Sequence, residues 1–147
     1  MPRHLRWIPA AAGLYALALA AIGVWPTHVD KNVDLVDTRP AQWVLDQLNL
    51  TSQQGYDLIE FGANILLFVP FGLLLRALRP GWSWLTVVLI GALASATIEI
   101  LQAVARPGRT ADVRDVIANT LGAALGCLVY AVARQVSRRS ASDPAGS

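Results

Sequence analysis

The chain has 147 residues, a formal net charge of +2 and 54% hydrophobic residues, with 15% charged, where soluble domains carry about 25% charged residues. That balance excludes an ordinary soluble enzyme, and so small a net charge offers no basic surface for nucleic acid. Cys127 is the only cysteine, and His4 and His28 are the only histidines and lie outside the apolar runs. An internal disulfide and a cysteine or histidine metal centre are therefore excluded, and no cofactor is expected.

Taken in order, Arg3 and Arg6 precede an apolar run over 7–25, long enough to cross roughly 30 Å of hydrocarbon. A tryptophan at each end, Trp7 and Trp25, suits interfacial anchoring. The small-residue pattern at Ala16, Ala18 and Ala20 keeps a cleaved signal peptide open as the alternative. Residues 26–57 are polar and acidic. Within them Thr38 can cap a short helix that has Pro40 in its first turn. Its apolar face, Trp43, Val44, Leu48 and Leu45, suits a helix lying on the bilayer, and an ordinary loop is the competing reading. The Asn49-Leu50-Thr51 sequon carries no weight here.

The second expected span covers 58–78, with Glu60, Asn64, Pro70 and Gly72 inside it. Arg76, Arg79, Pro80 and Gly81 form a basic turn. Trp82 and Trp84 anchor a third span over 82–105, the sequence turns at Arg106-Pro107-Gly108-Arg109, and a fourth span runs over 116–136. Residues 141–147 read as a disordered tail. The expectation is an all-α membrane protein, a four-transmembrane-helix bundle in one domain over 1–140, with a short interfacial helix in its first outer loop.

Four spans place both termini on one side. With the termini inside, Arg3, Arg6, Arg76, Arg79, Arg134, Arg138 and Arg139 are cytoplasmic, against Lys31, Arg39, Arg106, Arg109 and Arg114 outside. The last three cluster beside acids that can hold them, so the positive-inside rule favours cytoplasmic termini and an outer-face turn.

The stretch over 95–126 organises the rest. Ser95, Glu99 and Gln102 share one helical face, and beyond the turn Asp112, Asp115, Asn119, Gly122 and Gly126 share another. Counted along their helices, Asn64, Glu99 and Asn119 each lie about 10 Å below the outer surface. Glu60, Gln102 and Asp115 form a layer nearer water, and Arg106, Arg109 and Arg114 can form a lid. A charge at mid-bilayer costs roughly 2.5–3.5 kcal/mol on insertion scales, so each carboxylate there needs a partner. Glu99 is expected to pair with Arg106 or Arg109, or through Asp115. The bland alternative is hydrogen-bonded glue between helices. Gly122 and Gly126 read as close helix packing, and Phe68 and Phe71 as core or lipid-facing.

The motifs N-I-L-L-F-V-P-F-G from Asn64, I-E-I-L-Q from Ile98 and R-T-A-D-V-R-D-V-I-A-N-T-L-G-A-A-L-G from Arg109 resemble the VanZ-like family. That family consists of small bacterial membrane proteins named for a teicoplanin-resistance accessory protein. The resemblance covers residues 57–130 and implies a multi-pass protein of the bacterial plasma membrane. Many members carry a histidine shortly after the first acidic residue, and the matching stretch here, 57–64, has none.

Two main functions stay open. One is a polar outer-leaflet site for a membrane lipid or lipid-tailed amphiphile, such as a lipid-tailed glycopeptide, lined by Glu60, Asn64, Glu99, Gln102, Arg106, Arg109, Asp112, Asp115 and Asn119. The other is an intramembrane enzyme using Glu99, Asp112 or Asp115 as acid or base. A small transporter or accessory subunit is a third reading, and it requires a homo-oligomer or a membrane partner.

Overall fold

The computed structural model describes residues 7–24, 38–105 and 112–142. Within them all regular structure is helical: α1 (Ile8–Val24), α2 (Arg39–Gln47), α3 (Ser52–Leu78), α4 (Trp84–Ala105) and α5 (Val113–Ser142). Ser52–Leu78, Trp84–Ala105 and Val113–Arg139 are long and apolar enough to cross a membrane, while α1 is shorter. Large apolar side chains such as Leu66, Leu93, Ile100 and Val104 point outward from this bundle, exposed by 60–79%. Such a surface suits hydrocarbon rather than water.

The ends of the helices follow from local chemistry. At α2 the Gln42 amide closes the first turn on the Thr38 carbonyl, with Pro40 in that turn, as the sequence suggests. The helix closes where Leu50 N–H reaches back to the Leu45 carbonyl around Asn49, whose φ is 53°. Asparagine tolerates that left-handed cap better than most residues. Thr51 then opens α3 in a capping box: its hydroxyl accepts from the Gln54 amide, and the Gln54 side chain accepts from the Thr51 amide. Helix α3 therefore begins six residues before the expected 58. Ser83 caps α4 by accepting from the Thr86 amide at 3.0 Å. Helix α5 starts at Val113 and continues to Ser142, past the expected end at 136 and into the segment expected to be disordered.

The core is the junction of α3, α4 and α5, with α3 and α5 parallel and α4 antiparallel to both. Backbone approach sets it. A Cβ on Gly122 would lie 2.2 Å from the Ile65 carbonyl oxygen, one on Gly126 2.1 Å from that of Val69, and one on Gly72 2.0 Å from that of Ala123. No larger residue fits those three positions, which is the close packing expected of Gly122 and Gly126. Phe68, Val87 and Ser95 fill the space between, each under 2% exposed, and Phe68 meets Phe71 at 5.5 Å between ring centroids.

The outer elements dock by single anchors. Leu45 of α2 is 8% exposed and lies where a Cβ on Gly55 would strike it, whereas Trp43 and Leu48 stay exposed at 66% and 59%. Helix α1 docks through Tyr15, whose hydroxyl donates to the Leu67 carbonyl. That carbonyl lies three residues before Pro70, which is inside a continuous α3. Proline has no N–H for the Leu66 carbonyl and opens the helix ladder at this point. The tyrosine hydroxyl bonds the next carbonyl, that of Leu67, beside this opening.

The end of the core away from the α4–α5 turn is basic and aromatic. Arg76 donates to the Trp82 carbonyl and lies 5.3 Å from the Tyr130 ring centroid, and Arg79 lies 5.8 Å from that of Trp82. Such cation–aromatic pairs suit an interfacial belt.

Candidate functional site

At the other end of the core, the first turns of α3 and α5 meet the last turns of α4. Helices α4 and α5 cross antiparallel, with Gly91 against Ala123 and Ser95 against Asn119. Four residues further along α4, that register brings Glu99 to the first turn of α5. Glu99 is 5% exposed, and its Oε2 accepts from the Asp112 backbone amide at 2.9 Å. Asp112 lies immediately before α5, so the buried carboxylate caps that helix's open N–H groups. The Asp112 side chain meanwhile accepts from the Arg114 amide at 2.8 Å.

Asp115, in the first turn of α5, is the hub. Asn64 of α3 donates to its Oδ1 at 2.7 Å, and the Glu99 carboxyl of α4 faces it. One residue from each long helix thus meets at a single point. Glu60 and Asp112 are the other acids facing Asp115. A turn deeper, Asn119 donates to Ser95 Oγ at 2.8 Å, with Asn119 7% exposed and Ser95 fully buried. The Asn119 Oδ1 has no partner among the described residues.

This geometry restaggers the expected layers. Asn64 lies level with Asp115 rather than with Asn119, and the partner of Asn119 is Ser95. The cause is the register of α3 on α5, which the Ile65–Gly122 and Val69–Gly126 backbone contacts fix. Equal counts along separate helices could not supply that register. Glu60 is exposed on α3 and Gln102 half-buried on α4. Arg106 and Arg109 lie outside the described residues, and so does their expected pairing with Glu99. Arg114 reaches Asp57 of α3 at 3.5 Å, an ion pair at the rim with side chains 63% and 31% exposed. Surface pairs of that kind contribute little, about 0–1 kcal/mol.

Two participants escaped the sequence reading. Asp57 looked like the end of a loop because the Thr51-to-Gln54 capping box, which places it inside α3, went unread. Tyr15 gave a fainter signal, a hydroxyl within an apolar run facing a chain that has a proline to accommodate. Among the described residues, no group of three or more histidines, cysteines or acids is arranged to hold a metal ion.

The sequence profile of the VanZ/LLP1 family matches residues 12–134, and the chain belongs to that family. Protein VanZ of Enterococcus faecium is 36% identical over 72 residues, a stretch covering 49% of this chain and 44% of that protein. The chain therefore aligns with less than half the length of this relative. No solved structure matches it.

Proposed function

We propose that this VanZ/LLP1 protein crosses the bacterial plasma membrane four times, with α1 as the fourth crossing and both termini cytoplasmic. We propose further that the Asn64–Asp115–Glu99 junction binds the polar head of an amphiphile in the outer leaflet. The amphiphile is an envelope lipid or a lipid-tailed glycopeptide. Burial of Glu99 carries this reading. A carboxyl group 5% exposed among apolar helices is costly to keep, and helix packing alone does not require it. The glycines already close α3 on α5, so the packing of those two helices does not need the acids. The exposed Trp43 and Leu48 on α2 would rest on the outer surface beside that site. A connection to envelope homeostasis and antibiotic resistance follows from the name of the Enterococcus relative and from the family's namesake.

The test is expression in a sensitive Gram-positive host. Susceptibility should fall more for lipid-tailed glycopeptides than for tail-less ones, because each buried CH₂ adds roughly 0.8 kcal/mol to partitioning into the leaflet. The protection should vanish in Glu99→Gln at unchanged membrane levels. Equal protection against both drug classes, or protection that survives the substitution, contradicts the reading.

The nearness of the Glu99 and Asp115 carboxyls favours a second reading, an acid/base enzyme acting on a lipid-linked substrate. Turnover of such a lipid by purified protein, abolished in Asp115→Asn, would select it over binding alone.

A further inference from the structure

We propose that the end of the core opposite the acids holds anionic phospholipid headgroups, in a rim formed by Arg76 and Arg79 of α3 and Arg134 and Arg138 of α5. This rim is distinct from the acidic junction, and its occupant does not depend on what binds there.

Depth places these arginines among lipid phosphates. Helix α5 carries no charged residue between Asp115 and Arg134, an interval of about 28 Å at a rise of ~1.5 Å per residue. That nearly equals the hydrocarbon thickness of roughly 30 Å. With Asp115 at one boundary, Arg134 therefore stands at the other. Helix α3 agrees. Ile65 sits against Gly122 and Val69 against Gly126, and this parallel register sets Arg76 level with Ala133, next to Arg134. Arg76 accordingly lies over Tyr130, one turn before Arg134 on the same face of α5. Arg138 follows one turn further out, about 6 Å, within a headgroup layer roughly 5–7 Å deep.

The cations are fixed but not neutralised. Arg76 donates to the Trp82 carbonyl and lies over the Tyr130 ring, and Arg79 lies over the Trp82 ring. The acids of α3, α4 and α5, namely Asp57, Glu60, Glu99 and Asp115, all lie at the opposite end, and no carboxylate among the described residues reaches this one. Guanidinium groups pair with phosphate oxygens by two parallel N–H bonds, and the Trp82 carbonyl takes one of the five donors of Arg76. A zwitterionic headgroup carries its own ammonium beside the phosphate, so a net negative lipid matches this rim better. A soluble acidic partner would not reach Arg76, which is half-buried at the hydrocarbon boundary. Arg134 and Arg138 are exposed, so lipid held here exchanges with the bilayer and is read in place rather than after release.

The experiment uses the full chain in phosphatidylcholine bilayers, with Trp7, Trp25, Trp43 and Trp84 changed to phenylalanine. Quenching of Trp82 by brominated phosphatidylglycerol and by brominated phosphatidylcholine gives the relative affinity of the two lipids beside Arg79. Phosphatidylglycerol should be preferred at least about fivefold at low salt, the factor one basic residue contributes at a membrane surface. The preference should fade at about 1 M salt. Arg76→Gln and Arg134→Gln should each lower it by at least about twofold, and the exposed Arg134 serves if the loss of the Arg76 contacts prevents folding. Arg114→Gln removes the same charge at the opposite end and should change nothing. A chain that keeps Trp43 as its single tryptophan should report no preference. An equal preference at Trp43, or an equal loss in Arg114→Gln, reduces the effect to net charge and overturns the site. Absence of any preference at Trp82 overturns it as well. Binding of soluble polyglutamate in place of the lipid, lost in Arg134→Gln, overturns the lipid assignment in favour of an acidic protein.

Discussion

Replacing Gly122 with alanine tests whether backbone contact between α3 and α5 holds the polar junction together. The added Cβ would lie 2.2 Å from the Ile65 carbonyl oxygen and 2.8 Å from Phe68 Cβ. Ordinary contact begins at 3.4 Å, so the two helices must part by about 1.2 Å at this point. Ile65 adjoins Asn64. The same displacement would stretch the Asn64–Asp115 bond from 2.7 Å to about 3.9 Å, outside hydrogen-bond range. Overpacking costs about 1–3 kcal/mol, and an interhelical hydrogen bond in a membrane is worth about 0.6–1.7 kcal/mol. Against this, alanine favours a helix over glycine by roughly 0.5–1 kcal/mol. The net loss should be roughly 1–4 kcal/mol. Detergent-induced unfolding followed by circular dichroism measures it. Gly62→Ala is the control, because it lies in the same α3 with nothing within 4 Å of its added Cβ, and it should be neutral or stabilising. If Gly122→Ala is as mild as Gly62→Ala, the close approach does not set the register and the argument fails.

Three further outcomes follow from particular contacts. Tyr15→Phe should cost about 0.6–1.7 kcal/mol by removing the hydroxyl from the opened α3 ladder, and should cost clearly less in a Pro70→Ala background, where the ladder is complete. A double-mutant cycle with no coupling would refute that role. Leu45→Ala should release α2 from Gly55 and raise hydrogen exchange over Arg39–Gln47, whereas exposed Trp43→Ala should leave exchange unchanged and lessen fluorescence quenching by bilayer probes; the reverse pattern would refute the single-anchor docking of α2. A carboxy-terminal alkaline phosphatase fusion should be inactive and a fluorescent-protein fusion bright, and the opposite pair would move the acidic junction to the inner leaflet.

Much of this was legible in the sequence, because the signals were local. The apolar stretches bounded by Arg76–Gly81 and by the Arg106–Arg109 turn gave the long helices. Thr38 and Pro40 gave the short α2. The spacing of Ser95, Glu99, Asp115 and Asn119 gave two facing polar stripes, and Gly122 and Gly126 gave close packing. What escaped depends on relations between helices. That Asn64 meets Asp115 rather than sharing a level with Asn119 follows from how Ile65 and Val69 seat on the two glycines, a tertiary fact with no signature along the chain. Leu45, rather than Trp43, anchors α2 because Asn49 and Thr51 set the angle between α2 and α3. The early start of α3 is the exception. Its capping box was readable, and the acidic composition of the preceding segment obscured it.

The central claim is that the buried acids at the meeting of α3, α4 and α5 hold a ligand taken from the membrane. Native mass spectrometry of the protein released from its own membrane tests it most directly. The account predicts an amphiphile adduct on the unaltered chain, lost in Glu99→Gln and kept in Arg138→Gln, which alters only the exposed far end of α5. An adduct equally abundant in all three proteins would contradict it.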